Sequence, residues 1–233
     1  MGAGRGYGPT HSQALEKLFC GVPHLTIIAP SHVHDPGLLL ERAVVRDPGV
    51  FLFIEHKLLY SLGLIDVADD GGMPDHGDLP RVELRSESSG YPTAVLRNYD
   101  RGRPDVTLMA YGRLSRLCQI VLNQLAEEEV HVAAVFPAAV NRLPLDRLCD
   151  LARQSGRVVA VEDGTAGIGW SSEVSAQLTE RLWWDLVRPA RRVAAEPAII
   201  PAARSLEDQV IVTAEKIRGA VVEVLSCAAR RCE

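Results

Sequence analysis

From Val106 onward the chain alternates short apolar runs with segments of helical period, and this pattern restricts the fold more than any other feature. Val106–Ala110, Val130–Phe136 and Arg157–Glu162 read as strands, separated by an amphipathic helix over Arg113–Glu128 and a second over Leu145–Ser155. A glycine-rich stretch, Gly164-Thr-Ala-Gly-Ile-Gly169, then precedes a helix over Ser171–Leu182 that carries Val174, Leu178 and Leu182 at helical spacing. A short strand near Ala190–Ala195 and a terminal helix over Leu206–Cys227 complete the unit. Strands spaced by helices of this length predict a three-layer α/β/α domain on a mainly parallel sheet, able to fold alone.

The front of the chain repeats the pattern but stops short. Leu25–Ala29 and Val50–Ile54 are apolar strands, and between them Pro30-Ser31 opens a helix carrying Leu38, Leu39, Leu40, Ala43 and Val44. Strand, helix and strand make a right-handed crossover, and such apolar strands lie in parallel sheets covered on both faces. Two strands alone are not an independently stable sheet. From Ser61 to Pro104 the composition turns polar, with Asp69-Asp-Gly-Gly72 and Ser86–Gly90, which predicts a linker holding one strand near Thr93–Leu96 and wrapping one domain onto another.

Twenty-five basic and thirty acidic residues give a net charge of −5, which argues against electrostatic binding of nucleic acid or of an anionic membrane. No apolar run reaches the length that spans a bilayer, and the first residues lack a leader pattern, so a cytoplasmic location is expected. The five cysteines, Cys20, Cys118, Cys149, Cys227 and Cys232, have neither metal-ligand nor disulfide-framework spacing and are expected to be reduced.

Among candidate functional residues His11 stands first. It sits in Arg5-Gly-Tyr-Gly-Pro-Thr-His-Ser-Gln13, where Gly6 and Gly8 permit close backbone approach and Pro9 stiffens the turn. An imidazole held this way suits proton transfer, or simply hydrogen-bonds its own turn. Glu55 and His56 end a strand, where they either face a site or form a solvated or interfacial Glu-His-Lys edge. Glu162-Asp163 is a carboxylate pair at the end of an apolar strand, a placement that suits a site in an α/β sheet. Gly164, Gly167 and Gly169 are a weak phosphate-loop signal and fit close helix packing better. His24, His32, His34, His76 and His131 show no convergent spacing, and the His32/His34 pair is expected at the surface. Trp183-Trp184 reads as core or subunit interface.

In this order the parts resemble the beta subunit of the thiamine diphosphate-dependent first component of 2-oxo acid dehydrogenase complexes, within the transketolase superfamily. The resemblance is carried by Arg5–Glu16, Pro23–Ser31, Arg46-Asp-Pro48, Phe53-Ile-Glu-His-Lys-Leu-Leu-Tyr60, Asp105–Gly112, Val161-Glu-Asp-Gly164, and Gly167-Ile-Gly169 with Glu173. It implies a three-layer transketolase C-terminal-like domain over 105–233, a linker over 63–104, and the incomplete C-terminal half of a pyrimidine-binding α/β domain over 1–62. The front half of that domain, with the glutamate that contacts the aminopyrimidine ring, is expected on an obligate partner chain. That partner would also hold the diphosphate and Mg2+, since no Gly-Asp-Gly pattern ending in Asn occurs here. A heterotetramer with two copies of each chain is the implied assembly.

By the same resemblance His11 faces the thiazolium end of thiamine diphosphate and is the one catalytic residue expected on this chain. Val44, Val45 and Asp47 match the positions of a potassium site, although Gly49 replaces a usual polar residue and a salt-bridged turn is the competing reading. The implied reaction cleaves a C–C bond next to a carbonyl and hands a two-carbon ketol or acyl unit to a lipoyl or carrier-protein thiol, in a specialised biosynthetic pathway. The alternatives are a pyruvate or branched-chain 2-oxo acid dehydrogenase beta subunit, a non-catalytic assembly module, and a fragment of a full-length beta subunit.

Overall fold

The computed structural model describes residues 2–64, 81–87 and 90–226. Its centre is a six-stranded sheet of β3 (Arg81–Ser86), β4 (Pro92–Arg97), β5 (Val106–Met109), β6 (Val132–Pro137), β7 (Val158–Thr165) and β8 (Arg191–Ala195), in the order β3-β4-β6-β5-β7-β8. β6, β5, β7 and β8 are parallel neighbours, whereas β4 runs antiparallel to both β3 and β6. β5 and β6 are buried along their whole length, as continuous apolar runs require when helices cover both faces.

Alternation of side chains across the sheet divides the core in two. Leu96, Leu108, Ala134 and Val161 pack under α3 (Leu114–Ala126) and α7 (Ala214–Ser226). Val95, Met109, Val135 and Ala160 pack under α4 (Leu145–Ser155) and α5 (Trp170–Leu182). The expected three layers are therefore present. Segment 63–104, expected as a linker with one strand, contributes two strands to the same sheet, and pairing with β6 gives β4 its place there. The helix expected over Leu206–Cys227 is two helices, α6 (Arg204–Val210) and α7, and Cys227 itself lies outside the described residues. Ile211 is extended and buried with Val212, and the Thr213 hydroxyl then accepts the Lys216 N–H to start α7.

At the front, β1 (Leu25–Ile28) and β2 (Val50–Phe53) form a parallel pair joined through α2 (Pro36–Glu41) and a π-helical turn over Arg42–Arg46. Asp35 caps α2, its carboxylate accepting the Gly37 and Leu38 N–H groups. The pair is anchored to the large domain. Ala29 N–H donates to Ala138 O at 2.9 Å and Val140 N–H to Ile27 O at 2.8 Å, so the chain leaving β6 runs against β1 as a short extra strand. Asn141 extends this edge, its Oδ1 accepting Ile27 N–H at 2.9 Å and its Nδ2 donating to Leu25 O at 2.8 Å. Replacing Asn141 with alanine leaves both backbone groups short of a partner and should cost about 1–3 kcal/mol in urea unfolding. An unchanged midpoint would show that water satisfies them instead. Among the described residues no helix is long and apolar enough to cross a membrane.

Candidate functional site

The first eight residues carry glycine at positions 2, 4, 6 and 8, all with positive φ (102°, 92°, 71° and 66°), and this alternation winds the segment tightly over the domain. A Cβ on Gly6 would lie 3.0 Å from Ala202 O and one on Gly8 3.3 Å from Ala202 Cβ, so only glycine lets the segment seat on the loop before α6. The segment ends in α1 (Gly8–His11), one turn with Pro9 in its first positions, closed by Ser12 N–H donating to Gly8 O. His11 is exposed at the end of that turn, its ring edge-on to Tyr7 at 6.3 Å. Among the described residues no hydrogen bond holds the imidazole, so both its nitrogens are open to a ligand.

After the turn the chain enters a buried polar cluster centred on Glu16, of which sequence reasoning names only the Glu162-Asp163 pair. The Tyr111 hydroxyl donates to Glu16 Oε1 at 2.6 Å, and Glu16 is only 2% exposed. Burial raises the Glu16 carboxyl above its ordinary range, the Asp163 and Glu162 charges reinforce this, and the Tyr111 hydrogen bond opposes it. The Arg113 guanidinium grips Asp163 in a bidentate pair, with Nε 2.7 Å from Oδ2 and both side chains nearly buried. Lys17 Nζ donates to the Thr165 carbonyl at 2.9 Å and hydroxyl at 2.7 Å, fixing the Glu16–Phe19 turn to the end of β7. The available signal was weak: Tyr111 and Arg113 follow β5 directly, at the carboxyl end of a parallel strand.

The Glu162-Asp163 pair therefore divides its work. Asp163 balances Arg113, while Glu162 Oε2 accepts Ser171 N–H at 3.1 Å and caps α5. A Cβ on Gly169 would run into the Glu162 carboxylate, so that carboxylate fills the space a phosphate would need at the start of α5. Close packing thus explains Gly169, whereas Gly167 is set by its positive φ of 125° with open space around it.

Three histidines are buried, two of them against expectation. His32 and His34, expected at the surface, turn inward because the chain leaving β1 dives beneath α3. His32 Nδ1 lies 2.6 Å from Ser115 Oγ and its Nε2 3.1 Å from Gln119 Oε1, both on α3. His34 Nδ1 lies 2.8 Å from Ser31 Oγ. The Glu55-His56-Lys57 edge splits: Glu55 and Lys57 are exposed, while His56 is buried and its Nδ1 accepts Leu58 N–H at 3.2 Å. Burial pushes His32 and His56 down to about 4 and His34 down to about 3, so all three are neutral near pH 7. His32, His56, Ile54 and Tyr60 line a cavity of about 320 Å³ at the carboxyl ends of β1 and β2.

Other expected positions fall away from this centre. Val44 and Val45 are exposed on the π-helical turn, and the Asp47 carboxylate pairs with Arg42 Nε at 3.3 Å, so a monovalent cation there would depend on backbone carbonyls. Trp183 and Trp184, read as core or interface, are not core: Trp184 is 92% exposed. His24 is exposed, His131 stacks on Tyr99 at 4.9 Å, and His76 lies outside the described residues.

Residues 97–217, over half of the chain, match the family described as transketolase, C-terminal domain. The chain belongs to this family. Similar curated proteins include the beta subunit of 2-oxoisovalerate dehydrogenase from Bacillus subtilis, 29% identical and covering 92% of this chain and 60% of that protein. Beta-1 of the mitochondrial pyruvate dehydrogenase E1 component from Arabidopsis thaliana is 28% identical, covering 88% and 52%. The beta subunit of acetoin:2,6-dichlorophenolindophenol oxidoreductase from Cupriavidus necator is 27% identical, covering 94% and 59%. This transketolase-family chain thus spans between half and two thirds of the length of these relatives. A solved structure titled "Split gene transketolase, inactive beta4 tetramer" shares the fold, with a TM-score of 0.60 at 19% identity over 95% of this chain and 63% of that one.

Proposed function

We propose that the chain is the beta-like component of a thiamine diphosphate-dependent enzyme that breaks a C–C bond next to a carbonyl and passes the fragment to an acceptor. The carrying observation is His11, an exposed imidazole without a hydrogen-bond partner among the described residues, presented by a positive-φ backbone that favours glycine. Thiamine diphosphate, when bound, supplies the carbon nucleophile and the electron sink. His11 hydrogen-bonds the substrate carboxylate or carbonyl and moves a proton as the fragment leaves. Further along the chain, the Glu16–Tyr111 hydrogen bond ties the segment that follows the turn to the end of β5.

The residues present suit a cofactor shared with another chain. Among the described residues no group of three or more His, Cys, Asp or Glu side chains is placed to hold a metal ion. In this proposal the diphosphate and Mg2+ are held by the partner. The partner also completes the β1–β2 pair, whose covering turn exposes Val44 and Val45 (74% and 73%) beside Leu38 and Val50. In this proposal residues 1–62 are half of a pyrimidine-binding domain, and β3 and β4 of the 63–104 segment belong with the 105–233 unit. Two copies of each chain assemble around a two-fold axis in the cytoplasm.

The named relatives, subunits of 2-oxoisovalerate and pyruvate dehydrogenases, favour a 2-oxo acid donor, and a lipoyl group is the acceptor proposed with it. A ketose phosphate donor with a carrier-protein acceptor in a specialised pathway is the other branch, and turnover trials with both donors separate them. Calorimetric titration with thiamine diphosphate and Mg2+ tests the shared site. The complex with the partner should bind the cofactor, and the purified chain alone should not. Tight binding and donor turnover by the chain alone would overturn the proposal.

A further inference from the structure

Glu207 is a wholly buried carboxylate on α6, at 0% exposure, and its partners lie some two hundred residues away in sequence. Its Oε1 accepts Gly4 N–H and its Oε2 accepts Gly6 N–H, each at 2.9 Å. Among the described residues no basic side chain pairs with it, so two backbone amides satisfy its two oxygens. Only the alternation of positive-φ glycines turns both amides to the same side, which makes the N-terminal segment a small anion cradle filled by the protein's own carboxylate. Ala3, just before Gly4, packs on Ile200 and Ile211 on either side of α6.

We infer that Glu207 is the positioning residue for His11: it clamps the glycine segment to α6 and thereby sets the direction in which the single turn of α1 presents the imidazole. This rests on the proposed role of His11. Gly6 is bonded to Glu207 and seated on Ala202, Gly8 is seated on Ala202, and His11 follows three residues later with no hydrogen bond of its own among the described residues. The helix that orients the group thus comes from the opposite end of the chain. Nothing in the local sequence signals this, because Glu207 reads as one more acidic residue in Leu206-Glu-Asp208.

The test uses E207Q and E207A in the full chain. Glutamine keeps the size but offers one acceptor, so it should release one amide, while alanine should release both. Hydrogen exchange at Gly4 and Gly6 should accelerate about tenfold or more in E207A and less in E207Q, with β5 and β6 unchanged. In the complex with the partner, E207A should lower kcat about tenfold or more with KM nearly unchanged, because a displaced reacting group costs rate rather than binding. In the His11→Ala background the same change should cost nothing further. Wild-type exchange at Gly4 and Gly6 in E207A would overturn the inference, as would an equal loss of kcat with and without His11. If His11→Ala alone leaves turnover intact, the functional proposal falls while the exchange result still decides the clamp.

Discussion

Replacing His11 with alanine should lower turnover of the assembled enzyme by about 10²–10⁴-fold, the range typical of a positioned proton-transfer group. The fold should barely register the change. His11 is exposed, and the backbone of its turn is held by the Gly8–Ser12 bond and by Gly6 and Gly8 on Ala202, none of which uses the imidazole. The thermal midpoint should therefore move by no more than an ordinary surface substitution, within about ±0.5 kcal/mol. Glutamine at this position keeps a hydrogen-bonding group but no titrating nitrogen, and should recover substrate binding without the rate. Steady-state kcat and KM with size-exclusion of the complex provide the check. Native turnover from an intact His11→Ala complex would make the chain an assembly module and end the catalytic reading.

Acid should unfold the protein early, between about pH 6.5 and pH 4. His32, His34 and His56 are held below their ordinary value of 6.5, at about 4, 3 and 4, chiefly by burial. Because their folded values are depressed, the unfolded chain binds more protons in that window. Their stabilisation is complete above pH 6.5 and drains as pH falls towards the folded values. Each imidazole contributes a slope of about 1.4 kcal/mol per pH unit, so three together approach about 4 kcal/mol per unit. That is a large share of the roughly 5–15 kcal/mol a domain commands. Glu16 works in the opposite sense: its raised value stabilises the acid side and fades as pH rises through it. Nearby charges adjust the histidines rather than reverse them, with Arg116 depressing His32 and Asp163 raising His56. Urea unfolding at pH 7.5, 6.5, 5.5 and 4.5 should show the decline, and His34→Gln should remove about one proton from its slope. A free energy flat from pH 6.5 to 5 would show that these imidazoles are solvated.

Particular elements separate what was legible from what was not. The helix over Leu145–Ser155 appears with those same bounds, and β4, β7 and β8 fall where apolar runs predicted them. These features rest on side-chain period, which is local. The 63–104 segment read as a linker because its polarity reflects an edge strand: among the described residues β3 pairs only with β4 and leaves Arg85 and Ser86 exposed to solvent. His32 and His34 were misplaced for a related reason. Their own neighbours look like a helix start, and the groups that hold His32 inside, Ser115 and Gln119, lie more than eighty residues away. His11 was legible because glycines mark a constrained backbone in the sequence itself, whereas Glu16, Tyr111, Arg113 and Glu207 matter through partners that no spacing reveals.

By itself the sequence determined the layered α/β architecture, the family resemblance and the glycine turn that presents His11, because hydrophobic period and positive φ are properties of short stretches. The tertiary structure alone decided which polar groups are buried, and with them the neutral state of three imidazoles, the raised Glu16 carboxyl and the Glu207 clamp. Desolvation and hydrogen bonding depend on what lies across the gap, and here the facing residues come from about a hundred to two hundred residues away in the chain.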